Sequence, residues 1–168
     1  AVQNALGFTS TFTYTPEGNL ASQTNPLAGV ESFTYDTAGN LLTITDALQR
    51  TTRFSYDSMN RPTAMRDALG GLISWAYDNR GNMVSVANAA GATSHLFYDP
   101  LDRLIAIEGP LGARESVVYD AAGNIVQTID ALGHITFMQF DFKNRLTKVI
   151  QKVGEDLGKF KYNTAIAA

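Results

Sequence analysis

The chain has 168 residues, a formal net charge of −3, 45% hydrophobic and 17% charged residues, and no cysteine. That length suffices for one domain with a real core. There is no basic surplus to neutralise phosphates or meet anionic lipid, no apolar run near the roughly 20 residues of a membrane span, and no thiol for disulfides, thiolate chemistry or Cys-based zinc.

Read from the N-terminus, the chain repeats itself. Tyr14, Tyr35, Tyr56, Tyr77, Tyr98 and Tyr119 stand 21 residues apart, and Phe140 continues the series. The following residues are Thr15, Asp36, Asp57, Asp78, Asp99, Asp120 and Asp141. A second marker alternates with the first. It reads NALG (4–7), NPLA (25–28), DALQ (46–49), DALG (67–70), NAAG (88–91), GPLG (109–112) and DALG (130–133). NPLA and DALQ lack the glycine; Gly29, directly after Ala28, is expected to rescue the first, and Gln49 has no such neighbour. Residues 1–151 therefore form seven repeats, and 152–168 an irregular terminal repeat or tail, with an eighth unit beginning near Tyr162–Asn163. The start at Ala1, with no Met and no signal-like stretch, reads as a processed product or a piece of something longer.

Each unit reads as strand, turn, strand, turn. Leu72 to Tyr77 is rich in β-formers, DNRGN breaks it, Met83 to Ala87 is a second run, and NAAG breaks that. Four residues after each Tyr or Phe sits Gly18, Gly39, Asn60, Gly81, Asp102, Gly123 or Asn144. These are residue types that tolerate positive φ, as a type I turn closed by a G1 bulge requires. The Asp after Tyr opens the turn by accepting a backbone N–H. Two residues before each Tyr or Phe stand Phe12, Phe33, Phe54, Trp75, Leu96, Val117 and Met138, on the same face of the strand. The residues between, Thr13, Thr34, Ser55 and Ala76, are small or polar, so the opposite face is wetter towards the N-terminus. The fold is predicted to be all-β: tandem β-hairpins forming a long, curled antiparallel meander of about fifteen strands.

The pair closing each turn alternates: Gly39-Asn40, Asn60-Arg61, Gly81-Asn82, Asp102-Arg103, Gly123-Asn124, Asn144-Arg145. The true period is then 42 residues. Arg61, Arg103 and Arg145 read either as solvated rim arginines or as a spaced row contacting a partner or the next turn of a spiral.

Recurring YDxxGN at Tyr35, Tyr77 and Tyr119, with the D/N-R form at Tyr56 and Tyr98 and D-x-x-G between, resembles the RHS or YD-repeat family. That family includes bacterial RHS polymorphic toxins, insecticidal toxin complexes and teneurins. The resemblance spans essentially the whole chain. It implies a strip of sheet spiralling into a hollow shell, secreted or on the cell surface, around a toxic segment in the bacterial cases. About eight units are fewer than a closed shell needs. The only Asp-Pro, Asp99-Pro100, is an ordinary repeat turn, so no self-cleaving module and no toxin domain is read here.

The aspartates tempt a catalytic or calcium reading, but each has a turn to open. Copies two strands apart, roughly 9–10 Å, cannot share one ion. His95 and His134 lack a distinctive motif. Trp75 and Tyr77 are read first as packing and second as a stacking surface for sugar. The expectation is a non-enzymatic wall segment of an RHS-type shell that encloses or carries a toxin, needing no cofactor or metal. The alternative is a carbohydrate- or protein-binding module on a cell surface. Expected partners are the rest of a larger RHS protein or its cargo, and other copies through unpaired sheet edges.

Overall fold

The computed structural model describes residues 2–3 and 9–152. The chain forms two compact units, Ala1–Thr93 and Ser94–Ala168. The first contains β1 (Val2–Gln3), β2 (Thr9–Tyr14), β3 (Leu20–Thr24), β4 (Val30–Tyr35), β5 (Leu41–Thr45), β6 (Thr51–Tyr56), β7 (Pro62–Arg66), β8 (Leu72–Tyr77) and β9 (Met83–Ala87). The second contains β10, which opens at the boundary (Thr93–Tyr98), β11 (Leu104–Glu108), β12 (Arg114–Tyr119), β13 (Ile125–Ile129), β14 (Ile135–Phe140) and β15 (Leu146–Lys152). Within each unit, consecutive strands pair antiparallel, and no helix occurs among the described residues. The marker at 4–7 and the tail 153–168 lie outside the described residues.

The period has a mechanical origin. A six-residue strand, a five-residue corner, a five-residue strand and a second five-residue corner complete 21 residues. All thirteen corners among the described residues close with the same two backbone bonds. In the corner at 36–40, Asp36 N–H donates to the Asn40 carbonyl at 2.9 Å, and Gly39 N–H to the Asp36 carbonyl at 3.1 Å. Four corners place Pro second, at Pro16, Pro26, Pro100 and Pro110, where its preset φ suits the turn.

The fourth corner residue is left-handed throughout. Gly39 has φ 89°, and Asn60, Asp102 and Asn144 have 60°, 60° and 58°. At the other corners the expectation about Gly29 fails. Ala28 and Gln49 themselves adopt φ of 63° and 61°, and Gly29 is not left-handed. Closure of the corner dictates the conformation, so the residue at that place bears the strain instead of passing it to its neighbour.

The two corner types differ in register. At the Tyr corner Thr34 faces Thr43 but Tyr35 faces Leu41, so Leu42 is an inserted bulge residue. The same slip recurs at Tyr14, Tyr56, Tyr77, Tyr98, Tyr119 and Phe140. The DxxG corners at 25–29, 46–50, 67–71, 109–113 and 130–134 show no slip. A bulge increases the local right-handed twist, so the Tyr corners add to the twist that the strands already carry.

The faces follow the sequence pattern, with one correction. Phe33 pairs with Ile44, Phe54 with Met65 and Trp75 with Val86 on the apolar face. On the other face of the first unit, Thr13 and Thr34 exchange hydroxyl bonds with Ser22 and Thr43, both at 2.6 Å. In the second unit that face carries Phe97 and Val118, 37% and 48% exposed. The expected core does not form. Among the described residues only Ala106, at 4% exposure, is buried, and the apolar-face side chains named above are half-buried. Each unit is one layer of sheet, and a single layer cannot cover its own faces.

Candidate functional site: the corner ladder

The polar residues singled out from sequence converge at the Tyr corners. Asp36 shows the local unit. Its Oδ1 accepts from Ala38 N–H at 2.9 Å and Asn40 N–H at 2.8 Å, and its Oδ2 from Asn40 Nδ2 at 2.8 Å. In the alternate corners Arg replaces Asn at the fifth place and reaches the same oxygen. Arg61 Nε donates to Asp57 Oδ2, Arg103 Nε to Asp99 Oδ2 and Arg145 Nε to Asp141 Oδ2, each at 2.7 Å. One carboxylate thus serves two backbone amides and one side chain.

These bonds lower the aspartate pKa values. At Asp36, Asp99 and Asp120 the side chains of Asn40, Arg103 and Asn124 contribute most, ahead of the backbone amides. At Asp57 and Asp141 the amide of the following Arg leads. At Asp78 desolvation opposes the shift, and the bonds from Asn82 and the turn amides outweigh it. Such carboxylates are held ionised with their lone pairs occupied, the opposite of a general acid. Among the described residues no cluster of three His, Cys, Asp or Glu side chains could hold a metal ion.

The arginines do more than sit on a rim. The Arg61 guanidinium lies 4.6 Å from the Tyr77 ring centroid, and Arg61 Nη1 donates to the Asp78 carbonyl at 3.2 Å. In the second unit Arg103 lies 4.3 Å from the Tyr119 ring. The Asn-type corners reach forward differently: Asn40 Nδ2 donates to Asn60 Oδ1 at 2.7 Å, and Asn124 Nδ2 to Asn144 Oδ1 at 3.0 Å. Tyr hydroxyls reach back, Tyr35 to the Leu20 carbonyl at 3.0 Å and Tyr119 to that of Leu104 at 2.9 Å. The 42-residue alternation is therefore an alternation of linkers, cation–π then amide, between neighbouring corners. Sequence reasoning found the alternation and missed its use, because the partners are 15 to 20 residues apart and meet only through the strand register. Among the described residues the Arg145 side chain, 72% exposed, pairs with Asp141.

Trp75 is half-buried opposite Val86, and Tyr77 lies under Arg61. His95 is exposed opposite Glu108, and His134 Nδ1 lies 2.8 Å from Asp130 Oδ2. Two open depressions, of about 380 and 310 Å³, lie at matching places in the two units, and each combines a glutamate with a corner aspartate, Glu31 with Asp46 and Glu115 with Asp130. Both aspartates are already bonded, to Arg50 and His134.

The sequence profile of the teneurin YD-shell matches residues 2–166. The chain belongs to the YD-shell family. Solved structures similar to this YD-shell chain include the TcdB2-TccC3-Cdc42 complex (TM-score 0.68, 18% identity) and TcdB2-TccC3-TEV (TM-score 0.68, 13% identity). This chain is covered to 82% and 85% in the two, and spans 9% of either matched chain. The Photorhabdus luminescens Tc holotoxin pore matches with a TM-score of 0.50 and 16% identity, over 90% of this chain and 12% of that one. No curated protein sequence matches significantly. At these identities the likeness to solved structures establishes the fold alone. No helix among the described residues is long and apolar enough to cross a membrane.

Proposed function

We propose that this YD-shell chain is a non-enzymatic wall segment of a larger secreted or cell-surface RHS protein, and that the wall encloses or carries a toxin or effector segment. The observation that carries this reading is the consumption of the polar residues within the wall itself. The corner aspartates, asparagines and arginines described above bind one another and the backbone, and the same arrangement recurs in both units. A catalytic centre needs an asymmetric set of groups with spare valence, and identical repeating corners supply neither. The half-exposed apolar face is what a wall presents to something it covers or is covered by.

Limited proteolysis of the natural full-length protein tests this. An enclosed segment resists protease while the wall is intact and becomes cleavable when corners are weakened, for example by Gly39→Val with Gly123→Val. A full-length protein in which no segment is shielded would refute the enclosing role, and reproducible turnover by the wall would refute the non-enzymatic one.

A further inference from the structure

The two units share one backbone plan but differ on the face that carries Phe97. In the second unit Phe97, Val118, Ile129, Ile135, Phe137 and Ile150 share that face through direct cross-strand pairing, with the buried Ala106 among them. Four repeats earlier the same places hold Thr13, Thr34, Thr45, Thr51, Arg53 and Arg66. Those hairpins close the same corners and pair in the same registers, so the repeat does not ask for apolar residues here. Phe97 and Val118 are 37% and 48% exposed, and the opposite face, with Leu96, Val117 and Met138, is apolar as well. A sheet that is apolar on both faces calls for a cover on both.

Shape and charge select what covers the Phe97 face. Its apolar side chains lie in two rows, two residues or about 7 Å apart along the strands, and run about 24 Å across β10 to β15. That is the footprint of one helix of roughly 16 residues. Cations stand around it. The Arg114 guanidinium lies 4.6 Å from the Phe97 ring centroid, and Lys152 Nζ, at the far end, 6.0 Å from that of Phe137. Lys148 stands two residues from Ile150 on the same side of β15. Among the described residues the one carboxylate on this face of the second unit is Glu108, 3.5 Å from Arg114. Charge complementarity therefore asks for acidic flanks on the partner. A second copy of the same face would set these cations against their like. A lipid surface would spread over the corners too, where the ionised Asp120, Asp130 and Asp141 would meet its headgroups. We infer that this face is the docking site of an amphipathic helix of a partner protein, its apolar stripe on the two rows and its flanks carrying Glu or Asp. The inference does not rest on the shell reading.

Fluorescence anisotropy tests the docking site. A labelled peptide of about 18 residues, with a leucine stripe at helical spacing and glutamate flanks, is titrated with the 168-residue chain. A second peptide keeps the stripe and carries lysine flanks. The glutamate peptide should bind, and the lysine peptide at least about tenfold more weakly. V118S/F137S should weaken the glutamate peptide at least about tenfold, whereas I107S/V149S, at exposed places on the opposite face, should leave it unchanged. K148E/K152E should turn the preference towards the lysine peptide. It keeps the apolar rows intact and decides the matter alone if V118S/F137S loses the circular dichroism of the wild type. No binding, equal binding of the two peptides, or equal loss in the two face variants would overturn the inference. So would phosphatidylglycerol vesicles, or a second copy seen by sedimentation velocity, occupying the face in a Phe137-dependent way.

Discussion

Gly39 offers a clean measurement of what a corner costs. It holds φ of 89°, and a Cβ built there meets no atom within 4 Å. Substitution therefore changes backbone energy without a clash. A β-branched residue in the left-handed region costs about 2 kcal/mol, whereas Asn costs about 0.5 kcal/mol or less. Asn60 and Asn144 already hold this place at 60° and 58°, which supports the smaller figure. Gly39→Val should thus lower the thermal midpoint by about 4–8 °C and Gly39→Asn by no more than about 2 °C, using the scaling for a chain of this size. Repeat arrays unfold in parts, so amide exchange supplies the local readout. In Gly39→Val the β4–β5 amides should lose protection while those of β14–β15 keep it. Equal effects of Val and Asn, or loss spread evenly over both regions, would refute the assignment of strain to this corner.

Tyr119→Phe removes one hydroxyl bond to the Leu104 carbonyl and should cost about 1 kcal/mol in a urea melt, with unchanged far-ultraviolet dichroism. Arg61→Lys keeps the charge but loses the planar stack on Tyr77, so it should cost about 0.5–1 kcal/mol in the same assay. The corner aspartates have folded pKa values below their unfolded ones, so their contribution is complete above the unfolded value and lost as pH falls through the folded one. The melting temperature should therefore be flat near neutrality and fall below about pH 4.5, and Asp36→Asn with Asp120→Asn should shallow that fall. Glycan-array binding should be absent, and binding lost in Trp75→Ala would instead favour a sugar-stacking role for that half-exposed ring.

Most of the fold was legible because the interactions that define a corner span four residues. Asp36 to Asn40 carries its own donors, acceptors and left-handed residue, so each repeat advertises its turn, and the intervening runs alternate as strands must. The sequence alone therefore determined the period, the strand order, the two faces and the structural duty of the aspartates. It did not determine what depends on register. The bulge at Leu42, the reach of Arg61 to Tyr77 and the amide bond from Asn40 to Asn60 arise only when hairpins lie side by side. Nor did composition foretell that, among the described residues, so many apolar side chains would leave almost none buried. Burial belongs to layers, and each unit of this strip is a single one. The leucine tips show the same division: DALG was plain in the sequence as a turn, and only the structure placed its leucine in the solvent.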